Sequence, residues 1–284
     1  EKKYIETMED VEELVEQLTS TENPPTLDEA EKIFIDLKVS FPNEFKEFSL
    51  GDLAPGIIAP LITASMKEWN PLEQPTKHVI VIKKWSELLD YSKTTSTTVF
   101  EPYPALVWST VIPCFRRAAA DWNPKNHSQM AALLDAWSAL LPEWMLDNVL
   151  DQIVLSKLTQ AVAEWDPLTD IVPIHTWIIP WSNILGSKMH GNVYKSICNK
   201  LSKAFLSWHP SDRSALAMIK PWKGVFMDEE LSIFLYKNVV PKLEYRMGEI
   251  IFNPLQQDLE IFNQVNEWHE LLSPLVMSSI LDKY

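Results

Sequence analysis

Glycine is scarce in this chain, with six residues in 284 against 20 prolines. Sheet-rich folds and nucleotide-binding loops spend glycine on tight turns. The shortage therefore points to helices punctuated by proline. Cysteine is scarcer still. Cys114 and Cys198 lie far apart in apolar contexts, which fits reduced core thiols of an intracellular protein and not a disulfide framework. The sequon Asn126-His127-Ser128 is then accidental. No apolar run has the length of a membrane span, and no signal peptide is present. Positive charge is also in short supply, with a formal net charge of −14. The deficit is local: residues 1–52 hold 15 acids and 5 bases, and the other 232 hold 24 and 20. A phosphate-binding surface needs positive potential, and Arg116-Arg117 is too small a spot to supply it. The balance argues against direct nucleic-acid binding. It suits protein partners or a plainly solvated face.

The residue sets of common enzymes are missing too. No GxSxG, HExxH, CxxC or Walker A sequence occurs. The stretch Gly186-Ser-Lys-Met-His-Gly191-Asn192 has the glycine spacing of a phosphate loop, but Asn stands where Lys is required. The histidines at 78, 127, 175, 190, 209 and 269 form no i,i+4 pair and have no local cysteine partner, so a metal site has no support. His175 and His209 read as hydrogen-bonded structural imidazoles. Asp147 and Asp151, one helical turn apart, read as a solvated face and not as an acid–base pair. No catalytic, cofactor-binding or metal-binding residue is expected, and no enzyme activity.

Aromatic residues are abundant: the chain is 46% hydrophobic with 12 tryptophans. Their order holds a pattern. Trp, then Asn, Asp or His, then Pro, occurs at Trp69-Asn70-Pro71, Trp122-Asn123-Pro124, Trp165-Asp166-Pro167 and Trp208-His209-Pro210, with a fifth copy at Phe252-Asn253-Pro254. The spacings are 53, 43, 43 and 44, the first lengthened by a polar insertion at residues 92–98 (SKTTSTT). A second tryptophan follows each anchor at offsets of 14 to 16: Trp85, Trp137, Trp181, Trp222 and Trp268. A period of about 43 residues with two anchors signals two helices per unit. The expected fold is all-α: an elongated helical-repeat array of about five two-helix units behind an acidic N-terminal helical segment. The expected divisions are residues 1–45 for that segment and 46–284 for the repeat domain.

Local chemistry agrees. In the third unit Leu146, Leu150, Ile153, Leu158, Ala161 and Trp165 recur at intervals of three to five, predicting one apolar stripe. The residue before proline leaves the α region, so each first helix should stop at its Trp. The Asn or Asp could then cap the next helix, with Pro in its first position. Pro60, Pro113 and Pro241 fall inside first helices and should kink them. In the front segment Val11, Leu14, Val15 and Leu18 predict an amphipathic helix, which Asn23-Pro24-Pro25 breaks. Thr26-Leu27-Asp28-Glu29 reads as a capping box, opening a helix with Ala30, Ile33, Phe34 and Leu37 on one face. The chain starts on Glu1, and residues 276–284 resemble a first helix cut before its Trp. A longer protein, continuing past the C-terminal end, is the expectation.

Three long stretches carry a resemblance: PEWMLDNVLDQIVLSKLTQAVAEWDPLTDIVPIHTWIIPW at 142–181, WHPSDRSALAMIKPWKGVF at 208–226 and NVVPKLEYRMGEIIFNPLQQ at 238–257. They resemble the tuftelin-interacting, or septin-interacting, protein family, within the group that carries a GC-rich-sequence DNA-binding-factor-like domain. The likeness covers nearly the whole chain and is weakest at 1–40 and 86–103. It departs at Ser156, where the family usually has proline. The resemblance implies a nuclear pre-mRNA splicing factor that helps dismantle the late, intron-lariat spliceosome. Family members carry a glycine-rich G-patch that recruits a DEAH-box RNA helicase. No G-patch is present in these residues, so the implied role is a scaffold that docks spliceosome proteins, with a second GC-rich-sequence DNA-binding-factor-like protein as a further candidate partner. A related branch acts as an adaptor for transcription or chromatin factors, which is the alternative reading.

Overall fold

A computed structural model describes residues 2–20, 22–90, 101–251 and 259–283. Every described element is helical, and no strand occurs among the described residues. The fold is all-α. The polar insertion at 92–98 and the anchor Phe252 lie outside the described residues. The chain divides into two compact units, Glu1–Ile153 and Val154–Tyr284.

The first unit contains α1 (Lys2–Thr19), α2 (Leu27–Ser40), α3 (Pro42–Glu47), α4 (Ala54–Ser65), α5 (Val79–Leu88), α6 (Pro102–Ala120), α7 (His127–Trp137) and α8 (Glu143–Val149). Helix α1 buries Val11 and Leu18, half-buries Leu14 and Val15, and turns its glutamates outward. The capping box forms as expected. Thr26 accepts from the Glu29 amide, and the Glu29 carboxylate accepts from the Thr26 amide at 2.9 Å. Hydrogen bonds from the Thr26 backbone and hydroxyl hold that carboxyl below the usual glutamate value. Helix α2 then buries Ala30, Phe34 and Leu37 and half-buries Ile33. Phe34 meets Trp85 of α5 edge-on at 5.5 Å. Lys38 donates to the carbonyls of Glu87 and Leu88 at the end of α5. The acidic front is thus bolted to the helices that follow it, and α4 packs against α6.

The second unit contains α9 (Ser156–Glu164), α10 (Ile174–Ile178), α11 (Ser182–Leu185), α12 (Val193–Ala204), α13 (Ser214–Ile219), α14 (Asp228–Asn238), α15 (Val240–Met247), α16 (Glu260–Asn266) and α17 (Pro274–Leu281). Helix α12 packs against α9 and α14, and α15 packs against α14, α16 and α17.

Proline positions have three outcomes. Pro60 lies inside α4 and Pro113 inside α6, as expected. Pro241 does not interrupt a helix. The chain breaks at Val239, and Pro241 occupies the first turn of α15, where its missing N–H costs nothing. The third unit, with Ser156 in place of proline, is still irregular. A π-helical stretch, Leu150–Leu155, leads from α8 into α9, and the division between the compact units falls inside it. The apolar stripe widens with it. Leu150, Ile153, Leu158 and Trp165 are buried as expected, Leu146 and Ala161 are only half-buried, and Met145, Val149, Val154 and Val162 join the buried set. The step of five from Val149 to Val154 spans the π turns, which hold more residues each than an α-helix does.

Candidate interaction surface

The aromatic pattern becomes a set of corners. Trp69, Trp85, Trp122, Trp137, Trp165, Trp181, Trp208, Trp222 and Trp268 are all buried. At three first anchors the indole N–H is satisfied within its own turn. Trp69 donates to Gln74 at 2.9 Å, Trp122 to Asn126 at 2.9 Å and Trp208 to Asp212 at 2.8 Å. The residue between Trp and Pro does not cap the next helix, which starts several residues later. Its side chain instead accepts from the amide two residues on and closes a turn over the proline: Asn70 from Leu72, Asn123 from Lys125, and Asp166 from Leu168. His209 does the same through Nδ1, accepting from Ser211 at 3.2 Å. Asn, Asp and His share a short side chain with an acceptor at the right reach, which explains why these three types alternate at one place. His209 is therefore a structural imidazole, as expected.

Anchors also meet one another within each unit. Trp137 reaches back 62 residues to donate to the Pro75 carbonyl at 2.8 Å, and its ring lies 5.6 Å from that of Trp69. Trp208 and Trp268 lie 5.3 Å apart. Each helix that runs into a corner leaves carbonyls without intrahelical partners, and cations from a later helix collect them. Arg117 donates to Met66 and Trp69. Lys200 donates to Ala163 and Trp165. Lys242 donates to Phe205, Leu206 and Trp208 at 2.6, 2.9 and 2.6 Å and lies over the Trp208 ring. These cations escaped the sequence reading. Lys200 and Lys242 follow Trp165 and Trp208 by 35 and 34 residues, but that spacing does not by itself reveal the contact.

Little of this arrangement can do covalent chemistry. No group of three or more His, Cys, Asp or Glu among the described residues could hold a metal ion. Cys114 and Cys198 are free thiols whose pKa values burial raises. His175 lines a cavity of about 260 Å³ beside Trp165 and Leu201, and burial lowers its pKa. Residues 186–189 form a 3₁₀ turn and not a phosphate cradle. No described helix is long and apolar enough to cross a membrane.

Two surfaces remain. In the first unit, Trp108 of α6 is half-buried and Trp144 of α8 is 55% exposed. Their ring centroids are 5.4 Å apart with planes tilted by 38°. The Arg116 guanidinium lies over Trp108 at 5.1 Å from the centroid. Of the twelve tryptophans, these two alone escape burial, so they are set apart from the packing role of the other ten. Neither falls on the repeat period, but neither does Trp177, which is buried, so the period alone does not single them out. In the second unit, α14, α15 and the start of α17 border a groove of about 400 Å³. Ile233 and Tyr236, each 68% exposed, lie on its wall with Val240, Leu272 and Val276.

These features define an all-α protein that spends its indoles on internal corners and presents apolar and aromatic surface to solvent. The chain belongs to the GC-rich sequence DNA-binding factor-like family, whose model matches residues 27–284. It is 50% identical over 259 residues to Septin-interacting protein 1 of Drosophila melanogaster, covering 90% of this chain and 31% of the relative. It is 39% identical over 278 residues to Tuftelin-interacting protein 11 of Xenopus laevis, covering 96% and 34%. Against Tuftelin-interacting protein 11 of Homo sapiens it is 36% identical over 293 residues, covering 100% and 35%. The chain spans about a third of the length of these relatives.

Proposed function

We infer that the chain is a non-enzymatic, helical-repeat scaffold within a nuclear pre-mRNA splicing factor that acts in disassembly of the late, intron-lariat spliceosome. It would dock spliceosome proteins, and a second GC-rich-sequence DNA-binding-factor-like protein is a candidate among them. A G-patch outside these residues would recruit the DEAH-box helicase. The observation that carries the reading is the match along residues 27–284, together with relatives whose names record interaction with septin and tuftelin. The burial of ten indoles supports it as well, because side chains spent on packing leave the outer surface free for partners. The net charge of −14 weighs against nucleic acid as the ligand.

Affinity purification of the tagged chain from nuclear extract tests the reading. Late-spliceosome proteins and intron-lariat RNA should be recovered together. Transcription factors or methyltransferase subunits in their place would favour the adaptor role instead. Tight, steeply salt-dependent binding to RNA alone would contradict both.

A further inference from the structure

The ladder formed by Arg116, Trp108 and Trp144 has no role in the corners. We propose that it is a docking site for a short acidic segment of a partner protein, in which a carboxylate pairs with Arg116 and a neighbouring apolar side chain covers Trp144. The proposal rests on the reading of the chain as an interaction scaffold, but not on splicing.

Three observations carry it. First, a chain that buries ten of its twelve indoles leaves Trp144 more than half exposed, and Trp and Arg are both enriched where interfaces concentrate their binding energy. Second, the exposed Arg116 guanidinium lies 5.1 Å from the Trp108 ring centroid, and a guanidinium can give a carboxylate two parallel bonds. Among the described residues it has no carboxylate partner, whereas Arg213 and Arg246 are paired with Glu267 and Glu249. Its neighbour Arg117 is already committed to the carbonyls of Met66 and Trp69. Third, both aromatic rings stand on helices, so the site is held in shape before anything binds. The two ring spacings put Trp144 no more than about 10 Å from the guanidinium, a distance that about three extended residues span. The partner's acid and apolar side chain must therefore be close in sequence.

Stacked indoles could also receive nucleic-acid bases. The charge requirement opposes that. Exposed Glu143 and Asp147 flank Trp144 on α8, so the partner's acid is confined to the Arg116 end of the ladder and an uncharged side chain covers Trp144. A single uncommitted guanidinium does not replace the row of cations that a phosphate backbone needs.

The test uses the whole chain, an array of 12-residue peptides placing Asp or Glu one to three residues from Leu, Pro or Trp, the same array with Lys in place of the acid, and a 20-mer oligouridylate. Acidic peptides should bind and their lysine counterparts should not. Trp144→Ala and Arg116→Gln should each weaken binding at least 10-fold while the melting temperature stays within about 2 °C of the parent. Absence of peptide binding, parent-like binding by either variant, preference for oligouridylate, or a large loss of stability in Trp144→Ala would each overturn the proposal. If the peptides fail but the chain still recovers its complex from nuclear extract, the ladder assignment falls and the scaffold reading stands. If the peptides bind but no complex is recovered, the reverse holds.

Discussion

Lys242 shows what a single residue contributes to a corner. Its ammonium bonds three carbonyls that the turn at Trp208 leaves open, and burial lowers its pKa from the ordinary lysine value. Cys198 shows burial acting on an acid. Burial pushes its thiol up to about 11, and the Glu230 carboxylate adds to the rise. Only the thiolate reacts, so an aromatic disulfide reagent at pH 8 should label Cys198 slowly in the folded chain and rapidly in denaturant. Fast labelling of the native chain would contradict its burial. The linked stability effect has a definite sign. Below pH 9.0 the thiol is protonated in both states. Between 9.0 and about 11 the unfolded chain loses the proton first, so stability falls as pH rises through that window. Cys198→Ala should flatten that decline. At this scale the sequence was informative about residue type and silent about partner. The buried Cys114, the half-buried Cys198 and the structural His209 were legible from their apolar and corner contexts. The cations that collect carbonyls were not, because their acceptors lie 34 to 51 residues away and depend on how helices cross.

Among the elements, ends were legible and interiors less so. The capping box at Thr26 is a local contest between a side chain and the first backbone amides, and four residues decide it. The Trp-x-Pro turns were legible as breaks, but the acceptor closes a turn and does not start a helix. The π stretch at Leu150–Leu155 left no mark in the sequence alone, since a one-residue slip in an apolar stripe reads as ordinary scatter. Its position, directly before Ser156, suggests a test. The resembled family usually has proline there. Interior proline costs about 3 kcal/mol where it breaks regular α-helix, but Ser156 is the exposed first residue of α9, where the regular ladder is already interrupted. Ser156→Pro should cost less than about 1 kcal/mol on chemical denaturation. A loss near the full interior value would show that the π stretch does not accommodate the ring.

At the scale of the molecule, composition carried the fold class. Few glycines, many prolines and a tryptophan period pointed to helices, and every described element is a helix or a turn. The two outward-facing surfaces were not legible, because exposure is decided by which side chains find neighbours. The uneven charge was legible: the acids of the front segment face solvent on α1 and, apart from half-buried Glu31, on α2. The central claim is that periodic indoles hold the helices together and that recognition happens elsewhere on the surface. Chemical denaturation of Trp165→Ala, read beside recovery of the complex from nuclear extract, tests it most directly. A buried aromatic truncated to alanine should cost about 3–5 kcal/mol, and any loss of partners should follow that loss of folding. Unchanged stability with abolished recovery would mean that Trp165 is itself a contact residue, and the account would fail.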